Sequence, residues 1–135
     1  MKMTLSEVRT KYQDLIALAN CQLPSKLAYG IAKNLKKLGT EAELIEKQRL
    51  SVAESYAKKD ENGTPEVMDG RFVFEKKEDE KAFQNDFNEF LNTETEVAIH
   101  KCSCTVLDML DDPRYDILTP TQMVALDFMM EQPTE

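Results

Sequence analysis

Apolar residues set the first expectations. Leu5, Val8, Tyr12, Leu15 and Ala19 recur at steps of three and four, which places them on one face of a helix. Thr4 with Glu7 forms a capping box at its start, so a helix is expected over residues 4–19. Leu23-Pro24-Ser25 opens the next helix, because a proline in the first turn lacks an N–H that would have no partner there. Its apolar positions run Leu27, Ile31, Leu35, Leu38, Ala42, Ile45, Val52 and Tyr56, with Arg49 filling the one polar slot.

The stretch KKLGTEAELIEK, residues 36–47, is ambiguous. Lys36 and Lys37 suit a helix C-terminus, Gly39 suits the residue after it, and Thr40 with Glu43 makes another capping box. Against a break stands phase. From Leu35 the steps are 3, 4, 3, 4, 3, 4, with no slip across Gly39. A glycine inside a helix costs only about 1 kcal/mol relative to alanine, which packing offsets. One helix over residues 24–58 is therefore expected, roughly 50 Å long. A compact domain of this size is only about 35–40 Å across, so the helix would protrude, and its apolar stripe needs cover from this chain or from another copy.

Asn62-Gly63, Pro65 and Asp69-Gly70 mark residues 59–70 as turns. Residues 71–74 read as a short strand, and residues 75–92 as a helix with a seam of Phe83, Phe87, Phe90 and Leu91. Residues 95–104 alternate in the manner of a strand, with Val97, Ile99 and Lys101 on one side and Ala98, His100 and Cys102 on the other. Pairing of 71–74 with 95–104 across the helix would give a βαβ-like or crossover unit. A helical turn is expected over 105–110. A last helix is expected after the Thr119, Pro120 and Gln122 start signal, apolar on more than one face through Met123, Val124, Leu126, Phe128, Met129 and Met130. The fold class is α+β, mainly α, with a long central helix, three other helices and a small two-stranded sheet. At 135 residues the chain fits one domain, 1–135.

Composition narrows function. Hydrophobic residues make up 41% and charged residues 31%, which excludes a disordered chain, and no apolar run reaches 18 residues, so no membrane span is expected. The formal net charge of −8 repels phosphate backbones, so nucleic acid is not an expected partner. Lys33, Lys36 and Lys37, adjoining Lys26, are the best candidate for a basic patch, but Glu41, Glu43 and Glu46 follow at once, and a solvated helix face is the better reading. The N-terminus MKMTLSEVRT turns polar and acidic too early for a secretory signal, and three cysteines, an odd number, fit a reducing cytoplasm.

Candidate chemistry is sparse. His100, Cys102 and Cys104 would share one side of a strand and suit zinc, with Cys21 the only further ligand, but no CxxC pair is present. A half-buried strand with small sulfur side chains is the better reading. His100 is the sole histidine, so a Cys–His catalytic pair would have to use Cys102 two residues away, too close in sequence for partners that normally meet from separate elements. Asp108, Asp111, Asp112 and Asp116 match no calcium loop and read as capping and loop residues. No glycine-rich phosphate cradle occurs. No catalytic, cofactor or metal residues are assigned.

The segments LPSKLAYGIAKNLKKLGTEAELIEKQRLSVAESYAKKDENG, FNEFLNTETEVAIH and LTPTQMVALDFMME resemble a group of small uncharacterised proteins of tailed phages and prophages. In that group a long helix precedes a charged turn, a helix ending in an "LLNTE" phrase, a short strand and a terminal "LTPxxLxxL" helix. The resemblance covers residues 15–131. It implies a phage or prophage product made inside a bacterial cell, and it transfers no site residue. The expected function is a non-enzymatic accessory or assembly protein acting through self-association or contacts with another phage or host protein. The candidate interface residues are Leu35, Leu38, Ala42, Ile45, Val52, Tyr56, Met123 and Met130. The alternative is a counter-defence inhibitor whose acidic surface imitates nucleic acid on a host enzyme. A small metal-dependent enzyme ranks third.

Overall fold

In the computed structural model, which describes residues 1–131, helix α2 (Ser25–Tyr56) runs unbroken through Gly39. Phase prevails over the stop signals for a visible reason. The Tyr12 ring of helix α1 (Leu5–Ile16) lies against Gly39, where an added Cβ would come within 3.4 Å of it. Thr40 caps nothing; its hydroxyl donates back to the Lys36 carbonyl at 3.2 Å, an ordinary bond within a helix. Thirty-two residues make a rod of about 48 Å.

The expected capping boxes at the other helix starts are present. Thr4 Oγ1 accepts from the Glu7 amide at 3.1 Å, and Glu7 returns the bond to the Thr4 amide at 3.3 Å. Thr119 and Gln122 do the same before helix α4 (Pro120–Leu126), at 3.2 and 2.9 Å. Helix α3 spans Lys77–Leu91. Two 3₁₀ segments, Cys104–Asp111 and Asp127–Met129, complete the helical content.

The strand pairing differs from expectation. Strand β2 (Val67–Met68) pairs with β3 (Arg71–Phe72) in a local hairpin, closed by Asp69 at φ 55° and Gly70 at φ 78°. Two central residues at positive φ make the tight connection that suits strand twist, and an Asp-Gly dipeptide favours it over a partner across α3. Strand β4 (Glu94–Glu96) instead pairs antiparallel with an N-terminal strand β1 (Lys2–Thr4), in the register Lys2–Glu96, Met3–Thr95 and Thr4–Glu94. There is accordingly no crossover unit, and the strand expected over 95–104 ends at Glu96. Met3 is the one apolar residue of β1 and is buried in the core.

The core gathers Leu5, Val8 and Leu15 of α1, Leu27, Ile31, Leu38 and Ile45 of α2, Phe87 and Leu91 of α3, and Leu126, Met129 and Met130 near the C-terminus. Each such side chain removed from water contributes about 1.5–3 kcal/mol. The far half of α2 does not project as a bare limb. The hairpin and α3 lie along it, joined by a ladder of rings: Phe72 and Phe74 each pack on Phe83, at 5.6 and 5.5 Å, and Phe83 on Phe87 at 5.9 Å. Arg49, the polar interruption in the stripe, places its guanidinium 4.4 Å from the centre of the Phe72 ring. No helix among the described residues is long and apolar enough to cross a membrane.

Candidate functional site

The densest polar construction lies where the segment after β4 crosses the first half of α2. Asn34 is fully buried on α2. Its Nδ2 donates to the His100 carbonyl at 3.0 Å, and its Oδ1 accepts from the His100 amide at 2.7 Å. One amide side chain thus replaces a missing neighbouring strand for both backbone groups of His100. Two positions on, the Cys102 amide donates to the Met129 carbonyl at 2.8 Å, and the Cys102 carbonyl accepts from the Glu131 amide at 2.7 Å. Gly30 allows the approach: a Cβ there would lie 2.4 Å from Cys102 Sγ, 3.1 Å from Met129 Cε and 3.4 Å from the His100 ring. Lysines close the edges, Lys37 Nζ donating to the Ala98 carbonyl and Lys101 Nζ to that of Phe128.

This geometry separates the residues expected to act together. Cys102 is buried against Gly30, and its thiol faces the Lys26 carbonyl at 3.7 Å. Burial, with the Glu131 carboxylate nearby, pushes that thiol's pKa up, which keeps it protonated and a weak nucleophile. Cys104 has left strand geometry and opens a 3₁₀ segment capped by Ser103. Cys21 lines a different notch, with Leu18, Leu23 and Leu35. Among the described residues no three His, Cys, Asp or Glu side chains stand close enough to hold a metal ion.

The aspartates serve the loop. Asp112 accepts from the Arg114 amide at 2.9 Å and pairs with its guanidinium at 3.1 Å; the amide bond first, then the side chain, hold its carboxyl below the usual range. Asp116 exchanges bonds with the Gln22 backbone, accepting through Oδ2 at 2.7 Å and donating from its own amide at 2.9 Å.

The eight interface candidates do not form one surface. Leu38, Ile45 and Met130 lie inside the chain's own core, out of a partner's reach unless the fold opens. Leu35, Ala42, Val52 and Tyr56 are half-buried, and the Tyr56 hydroxyl is tied to Asp86 on α3. Met123 is exposed at 46%. Val124 of the same helix is 74% exposed, and Ile117, which no sequence signal marks, is 94% exposed, so three large apolar side chains stand in water within eight residues.

Beside the Asn34 junction opens a cleft of about 290 Å³ whose walls include Lys26, Tyr29, His100, Ser103, Thr105 and Glu131. The Tyr29 ring stands edge-on to His100 at 5.6 Å, and Lys33 Nζ lies 5.3 Å from its centre. Asn34, Gly30 and Tyr29 were not singled out from the sequence. The signal for Asn34 was its position between Ile31 and Leu38 at steps of three and four, inside the apolar stripe.

No protein-family model matches the chain, and neither the curated proteins nor the solved structures compared with it contain a match.

Proposed function

We propose that the chain is a non-enzymatic phage or prophage accessory or assembly protein that works inside the bacterial cell through self-association or contact with another protein. The observation that carries this reading is three large exposed apolar side chains within eight residues, Ile117 before α4 and Met123 and Val124 on it. Isolated exposed apolar residues are ordinary, but several large ones in one short segment mark a contact surface. The chemistry-bearing side chains support the same direction, since the Cys102 thiol is held protonated and His100 packs on Tyr29. The resemblance to small tailed-phage proteins supplies the biological setting.

Light scattering on the full chain at rising concentration tests the self-association half. The expected result is a mass climbing above 15.5 kDa with concentration, and an Ile117→Asp/Val124→Asp variant that stays at 15.5 kDa. A wild-type mass fixed at that value up to about millimolar concentration, roughly −4 kcal/mol of association, would remove self-association and leave a different protein as partner.

The alternative, mimicry of nucleic acid on a host enzyme, is favoured by α3, where Glu78, Asp79 and Glu80 crowd the first turn. Binding of that kind weakens steeply with salt, whereas an apolar contact does not.

A further inference from the structure

We propose that the cleft between α2 and residues 100–106 binds a small phosphate-bearing anion. The first support is charge. Between Asp14 and Glu41 the chain has no acidic residue but carries Lys26, Lys33, Lys36 and Lys37, in a protein of net charge −8. Among the described residues none of these four lysines forms an ion pair. Lysines 26, 33 and 37 recur at seven and four residues, so they share one side of α2. Glu131 is the one carboxylate in the cleft wall.

The second support is shape and polar content. The cleft brings Lys26, the imidazole of His100 and the hydroxyls of Ser103 and Thr105 to one concavity, and Lys33 lies over the ring of Tyr29, a residue of its wall. Ammonium groups and hydroxyls suit the several oxygens of a phosphate; the planar, two-point recognition of a carboxylate is served by arginine, and no arginine lines the cleft. A volume of about 290 Å³ takes a phosphate with a small appendage, not a protein segment. The third support is rigidity. Asn34 fixes His100, and the Cys102 backbone is bonded on both sides, so the wall is set before a ligand arrives.

His100 is the only histidine, so its ring proton resonances report on this cleft alone. The full chain is titrated with inorganic phosphate, pyrophosphate and a nucleoside monophosphate in dilute salt. A saturable shift of the His100 signals is expected, weakened at least about tenfold by Lys26→Glu/Lys33→Glu and reduced by added salt. Tighter binding of the nucleotide would add Tyr29 as a platform for its base; equal binding would place recognition in the phosphate alone. Should charge reversal prevent folding, Lys26→Gln/Lys33→Gln removes the charges more gently. No saturable shift with any of the three ligands, or an undiminished one in a folded lysine variant, overturns the proposal. Neither result bears on self-association, which is read from mass.

Discussion

Asn34 satisfies both backbone polar groups of His100, through bonds of 3.0 and 2.7 Å that join a helix to an extended segment. Asn34→Leu fills the same space but strands an amide and a carbonyl in a partly buried place. A loss of about 2–4 kcal/mol is expected, read as a lower urea midpoint with an unchanged denaturant slope.

The two glycines of α2 should respond to alanine with opposite signs. At Gly39 the new methyl meets the Tyr12 ring at ordinary contact distance, so Gly39→Ala should stabilise by about 0.5–1 kcal/mol through helix propensity. At Gly30 the methyl collides with Cys102 Sγ, and Gly30→Ala should destabilise by about 1–3 kcal/mol. Adding Cys102→Ala removes the colliding atom. Thermal melts of the double-mutant cycle should show strong coupling between 30 and 102 and none between 39 and 102.

Arg49 ties the hairpin to α2 through Phe72 and is oriented by Glu46 at 2.8 Å. Replacing it with alanine should loosen the hairpin without unfolding the core. Hydrogen exchange should then accelerate at the Lys58 and Glu66 amides, whose backbone bonds tie the hairpin to the chain leaving α2, and at the Val73 amide, which bonds across the hairpin to Glu66, and remain slow at α1. Uniform acceleration everywhere would assign Arg49 a global role instead.

The Cys102 thiol ionises above its ordinary value of 9.0 in the folded chain because it is buried and faces Glu131. The sign follows from linkage. The unfolded thiol loses its proton first, so stability contributed by the neutral thiol is complete below about pH 9 and falls as pH rises past it. Cys102→Ala should flatten that part of the stability–pH curve, measured by urea unfolding between about pH 7 and 10. At neutral pH alkylation should reach the half-buried Cys21 and Cys104 well before Cys102.

Most of the helical frame was legible because it rests on local rules. Phase carried α2 through Gly39, and two Thr-led capping boxes marked α1 and α4 where the structure has them. Strand partners were less legible. Strand β1 is three residues with one apolar side chain, too short for alternation to register, and its partner lies over ninety residues away. The Asp69-Gly70 turn is visible in the sequence, but turn residues alone do not say whether the strand after them pairs locally or across α3. Asn34 stands in the apolar stripe of α2, which marks it as buried, but only tertiary contact shows which backbone it serves. The interface stripe was ambiguous for a related reason: a stripe of this kind is the same whether its own chain or a partner covers it, and here α1, α3 and the C-terminal methionines cover its centre, while Leu35, Ala42, Val52 and Tyr56 stay half-buried.

The unbroken course of α2 underlies every placement above, and a spin-label distance tests it most directly. With the three cysteines replaced by alanine, labels at exposed positions 33 and 51 sit on the same side of the helix, eighteen residues apart. A continuous rod predicts a separation of about 27 Å. A distribution centred below about 15 Å, as a chain doubling back at Gly39 would give, contradicts it.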